Sequence, residues 1–182
     1  MTLNQELFLF INSFALQNNI LDTIAISCAE YMPYVFIVIE VYIFFILKLK
    51  DEAIFAFYSM LMGLTLSKII SLFYIHNRPF VDNIGVALVE HAPDSSFPSD
   101  HTTFMLSIAI SLIFFTKTKK IGLFLLFIGF ISGLTRVFEG IHYPFDIFGA
   151  LVISFIGAFL IYKVKSKLQK VNNLIIKITI KD

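Results

Sequence analysis

Tryptophan is absent, cysteine occurs once, and only 15% of the 182 residues are charged. Each shortage excludes something. The lone thiol, Cys28, has no partner for an internal disulfide and no companions for a thiolate metal site, so it reads as a small apolar residue in a helix. Without tryptophan, any interfacial aromatic belt has to come from tyrosine and phenylalanine. No block of Lys and Arg is interleaved with aromatics on a polar face, which argues against nucleic acid as a partner. There is also no clustered Asp/Glu set of the kind that holds magnesium, so no metal or other cofactor is expected.

What the chain has in plenty is apolar sequence, 58% of all residues. A soluble domain cannot hide that much, and the runs are continuous rather than alternating. The expectation is an all-α, multi-pass membrane bundle rather than a barrel. Five spans are expected, at 32–49, 53–75, 100–116, 121–138 and 145–164. A short helix at 21–31 counts as a partial sixth. Most are close to the roughly 20 residues that a bilayer core requires.

The N-terminus does not read as a signal peptide, because it lacks a basic n-region and a small-residue cleavage site. Leu3, Leu7, Ile11 and Phe14 recur at helical spacing, which predicts an amphipathic helix on the membrane surface. Residues 1–31 are therefore expected to be interfacial, 32–164 to form the bundle, and 165–182 to be a basic cytoplasmic tail, all within one domain.

Lysines fall in alternate connections: Lys48 and Lys50, then Lys117, Lys119 and Lys120, then Lys163, Lys165, Lys167 and Lys170. The positive-inside rule makes those ends cytoplasmic. The remaining connections, 76–99 and 139–144, then lie on the outer face, and they carry the unusual polar residues. One of them holds the long stretch 82–97; loops of that length in a compact protein usually serve a function.

Arg78-Pro79 is expected to end the second span, with Lys68 ten residues earlier. An isolated Arg-Pro is an ordinary headgroup anchor, but a guanidinium is also a fork for phosphate oxygens. A lysine inside a span marks function by default. Pro98-Ser99-Asp100-His101 opens the third span. Serine and proline there suit a helix start, and a helix N-terminus attracts anions, yet capping does not account for His101. Arg136, His142 and Asp146 join the fourth and fifth spans. At a spacing of four, His142 and Asp146 share a helix face, and a carboxylate that fixes one imidazole nitrogen leaves the other free to attack.

These three stretches resemble the signature of the type-2 phosphatidic acid phosphatases. That signature runs Lys-(six residues)-Arg-Pro, Pro-Ser-Gly-His, and Ser-Arg-(five residues)-His-(three residues)-Asp. Here the third part keeps the full spacing, from Thr135-Arg136 through His142 to Asp146. Asp100 replaces the glycine of the second part, Thr135 replaces serine, and Lys68 stands three residues too far from Arg78. The Ser-Phe-Pro-Ser-Asp-His stretch and the short chain look like the bacitracin-resistance type within that family.

The resemblance implies a phosphatase acting on a lipid phosphate, a polyprenyl diphosphate for that type, through a phosphohistidine. His142 would be the nucleophile, Asp146 its support and His101 the acid. Arg78, Arg136, Ser99, Lys68 and the Asp100 amide would hold phosphate. The pair of histidines predicts a bell-shaped pH profile. Another lipid substrate (phosphatidic acid, phosphatidylglycerol phosphate or lipid A) or a phosphotransferase fits the same residues. A small transporter is the non-enzyme alternative, prompted by Glu40 and Lys68 inside spans. Nothing in the sequence specifies an oligomeric state.

Overall fold

The computed structural model describes residues 1–179. Six helices follow one another: α1 (Leu3–Asn12), α2 (Asn19–Phe45), α3 (Lys50–Phe73), α4 (Asp100–Ile113), α5 (Lys119–Phe138) and α6 (Pro144–Thr179). No strand occurs among the described residues. Four of them, α2, α3, α5 and α6, are long and apolar enough to cross a bilayer. The protein is a multi-pass membrane bundle.

Helix α4 is the hub, packed against α3, α5 and α6. It has only 14 residues, about 21 Å at 1.5 Å per residue. It ends at Ile113 rather than reaching 116, and the chain turns at Thr118, whose hydroxyl donates to the Leu112 carbonyl at 2.8 Å. Its sequence reads as a span because it is apolar all round, and that is because neighbours surround it: Met105 through Leu112 are buried on every side.

Lipid tails are as apolar as leucine, so close packing and interhelical hydrogen bonds have to hold such a bundle together. Phe36, Ile43, Met60, Met105, Ile108, Leu112 and Leu125 fill one core shared by α2 to α5. The Ser59 hydroxyl donates to Ser111 at 3.0 Å, tying α3 to α4, and Ser154 donates to the Thr103 carbonyl at 3.1 Å, tying α6 to α4. At Gly157 of α6, a Cβ would come within 3.0 Å of the Gly63 backbone nitrogen of α3. Two glycines let these helices touch backbone to backbone.

Two expected boundaries shift. Residues 21–31 are not a separate helix, because α2 runs from Asn19 straight through Pro33 to Phe45. Asn18 starts it by accepting the amides of Ile20 and Leu21. Residues 165–179 continue α6 without a break, and this stretch docks on α3: Gln169 and Asn172 donate to Asp51 Oδ1 at 2.7 and 3.1 Å. Of the expected basic tail, residues 180–182 lie outside the described part. Helix α1 is less superficial than its spacing implied. Phe8 is fully buried against Tyr143, and Asn12 donates to the carbonyls of Val86 and Phe138 at 2.8 Å each.

Candidate active site

The polar residues converge at the end of the bundle opposite Lys48, Lys50 and Lys117, where α3 and α5 end and α4 and α6 begin. Helix α5 closes with a Schellman turn. The amide of Gly140 donates to the Val137 carbonyl at 3.0 Å, and that of Ile141 to the Arg136 carbonyl at 3.3 Å. The turn needs Gly140, whose φ is +83° and whose added Cβ would strike the Val86 carbonyl at 2.0 Å. Reversing there, the chain delivers His142 just before Pro144 opens α6.

His142 is buried, 2% exposed. Its Nδ1 lies 3.4 Å from Asp146 Oδ2 and 3.3 Å from the Ser96 hydroxyl. Asp146 Oδ2 also accepts the Ser96 hydroxyl and, at 2.7 Å, the Tyr143 amide. With Nδ1 facing an acceptor, Nε2 carries the free lone pair, and it lies 3.2 Å from Arg78 Nη1. Burial pushes the His142 pKa below the ordinary histidine value, although Asp146 pulls it the other way. The ring therefore stays neutral, as a nucleophile must be.

Arg78 does not end a helix. Helix α3 stops at Phe73, and Arg78 stands in the following loop, held by Asp94 at 2.9 Å through Nε and by the Ile141 carbonyl at 2.9 Å through Nη1. Asp94 is largely exposed. Burial raises its carboxyl, but the hydrogen bond and charge of Arg78 outweigh that and hold it below the usual range. Arg136, in the last turn of α5, donates to Glu139 Oε2 at 3.1 Å, and its Nε is buried with no partner. Glu139 is itself buried, and desolvation raises its carboxyl to about 7 against the pull of Arg136.

Ser99 is the fully buried N-cap of α4, but its hydroxyl makes no capping bond and instead receives Thr102 Oγ1 at 3.1 Å. The first-turn amides of α4 thus lack a side-chain cap and offer donors to an anion. His101 follows in the first turn of α4, exposed.

One expected phosphate ligand, the Lys68 side chain, turns away, whereas Asp100 keeps its amide in the first turn of α4. Lys68 is exposed, because the inward phase of α3 falls on Ser67 beside it. The early end of α3 also removes the helical register that would have tied Lys68 to Arg78. Asp100 sends its carboxylate to the Ser67 hydroxyl at 2.5 Å, so its side chain serves the α3–α4 junction. Ser96, Glu139 and Asp94 are in the constellation but were not singled out for it from sequence. Glu139 carried one usable signal, its i,i+3 spacing from Arg136.

The PAP2 superfamily matches residues 52–170, the stretch that carries Arg78, Arg136 and the buried His142–Asp146 pair, and the chain belongs to this superfamily. It is 34% identical to undecaprenyl-diphosphatase BcrC of Bacillus subtilis (strain 168), over 97% of this chain and 91% of that one. It is 28% identical to the bacitracin transport permease protein BcrC of Bacillus licheniformis, over 95% and 86%. Among solved structures, LpxE of Aquifex aeolicus shares the fold, with a TM-score of 0.74, 23% identity, and coverage of 90% of this chain and 96% of that one.

Proposed function

We propose that the protein is a membrane lipid phosphatase that removes the terminal phosphate of a polyprenyl diphosphate, undecaprenyl diphosphate being the substrate favoured by the BcrC similarity. The observation that carries the chemistry is the buried His142 ring, with Asp146 behind it at Nδ1 and Arg78 in front of it at Nε2.

In this reading His142 Nε2 attacks the terminal phosphorus and the bond to the bridging oxygen breaks. His101 gives that oxygen its proton, and the lipid leaves as the monophosphate. The ring gains positive charge as the N–P bond forms, and Asp146 offsets it through Nδ1. His101, now neutral, draws a proton from water, which attacks the phosphohistidine and frees phosphate. Arg78, Arg136 and the first-turn amides of α4 hold the equatorial oxygens, the main task in phosphoryl transfer. The Asp94–Arg78 contact has to yield as the phosphate arrives. The lysine-bearing connections support a reading in which this end of the bundle faces the outer side of a bacterial cytoplasmic membrane.

The test is phosphate release by purified protein in detergent with EDTA, comparing undecaprenyl diphosphate, phosphatidic acid and phosphatidylglycerol phosphate. Preferential release from the polyprenyl diphosphate, abolished in His142→Ala, is expected. Equal or faster release from a glycerolipid moves the substrate. No release from any of them overturns the reading.

A further inference from the structure

Asp146 is loaded on one oxygen only. Oδ2 meets Ser96, His142 and the Tyr143 amide, whereas Oδ1 is buried with no hydrogen bond. A carboxylate oxygen so placed costs stability unless a donor comes to it. The side chain facing it is His76, whose Nδ1 stands 3.6 Å from Oδ1 and is likewise buried without a partner. That distance lies just beyond a hydrogen bond, and a small ring rotation closes it. A cavity of about 350 Å³, lined by Asn4, Tyr74, His76, Phe97, Phe145 and Asp146, adjoins the pair.

His76 is not free to swing elsewhere. Its carbonyl accepts the Ser96 amide at 2.7 Å, and its amide donates to the Ser95 hydroxyl at 3.3 Å. Its ring stacks on Tyr74 at 5.9 Å and 9°, and lies 5.3 Å from Tyr143. The segment that carries the ring also carries Ser96, so both flanks of the Asp146 carboxylate are set by one loop.

We propose that His76 is a positioning residue for the reaction: it donates from Nδ1 to Asp146 Oδ1 and fixes the carboxylate plane so that Oδ2 stays on His142. The His142–Asp146 contact, at 3.4 Å, is long, and a carboxylate held by Ser96 and the Tyr143 amide through Oδ2 alone can pivot about that oxygen and lose it. His76 therefore acts through Asp146 and touches no substrate. The inference rests on the phosphatase reading above for its role in turnover, but not for the contact itself.

Two variants separate the donor from the ring. His76→Asn keeps a donor at the Nδ1 position and loses the stacking; His76→Phe keeps the stacking and loses the donor. For phosphate release, His76→Asn is expected to stay within about threefold of wild-type kcat, and His76→Phe to fall about tenfold or more with KM nearly unchanged. In parallel, the imidazole Nδ1–H proton resonance of His142, read by nuclear magnetic resonance on 15N-histidine protein without substrate, should persist in His76→Asn and broaden in His76→Phe. The proposal is overturned if His76→Phe matches wild type, or if His76→Asn is as impaired as His76→Phe. If wild type releases no phosphate, the phosphatase reading fails, and the resonance comparison alone decides the role of His76 by the same criteria.

Discussion

Arg78 Nη1 lies 3.2 Å from His142 Nε2, the nitrogen that attacks in the proposed mechanism. The guanidinium therefore covers the nucleophile while Asp94 and the Ile141 carbonyl hold its other edges. A lysine cannot make these contacts from one planar head. Arg78→Lys is expected to lower kcat/KM for phosphate release by about 100-fold, despite keeping the charge. A loss under about fivefold would mean that the fork is not used.

Ser96 stands 46 residues from His142 and 50 from Asp146, yet its hydroxyl touches both. Ser96→Ala leaves the buried Asp146 oxygen with one donor fewer. The expected result is a fall in kcat of about tenfold with KM unchanged. A rise in KM alone would place Ser96 on the phosphate instead.

Glu139 makes one contribution to the pH dependence of stability, opposite in sign to that of buried His142. Its carboxyl lies at about 7 when folded, against an ordinary 4.5, because it is buried. The native state thus keeps a proton that the unfolded chain releases between those values. This contribution is fully present below about 4.5 and declines as pH rises to about 7, by about 3 kcal/mol. Thermal unfolding in detergent should show the Tm of wild type falling relative to that of Glu139→Gln as pH rises across that window. Equal slopes would refute it.

Lys68 and Asp100 should be dispensable for the phosphate. Lys68→Ala removes an exposed side chain and should change kcat/KM by less than about twofold. Asp100→Gly removes the bond to Ser67, so it should lower Tm while leaving kcat within about threefold. A hundredfold loss of activity in either variant would return that side chain to the site.

The parts legible in sequence are those whose geometry is local. His142 and Asp146 meet within a short stretch, although not on one helix: His142 precedes α6, Asp146 lies in its first turn and takes the Tyr143 amide, and Gly140 marks the turn that presents them. Continuous apolar runs gave the helical membrane class for the same reason. The rest depends on distant partners. The Ser95 hydroxyl takes the His76 amide and donates to the Tyr74 carbonyl, drawing the backbone out of the helix before Arg78. That early end of α3 is what separates Arg78 from Lys68. Helix α2 runs through Pro33 although proline usually marks a boundary. Ser96 gave no local sign, since its partners stand 46 and 50 residues further along the chain.

The most direct test of the account is to trap the phosphoenzyme. Protein incubated with polyprenyl diphosphate labelled in its terminal phosphate is quenched in alkali, where phosphohistidine survives, and its peptides are mapped by mass spectrometry. The account predicts label on His142 and its absence in His142→Gln. Turnover in His142→Gln at the wild-type rate, with no labelled peptide in any variant, would contradict it.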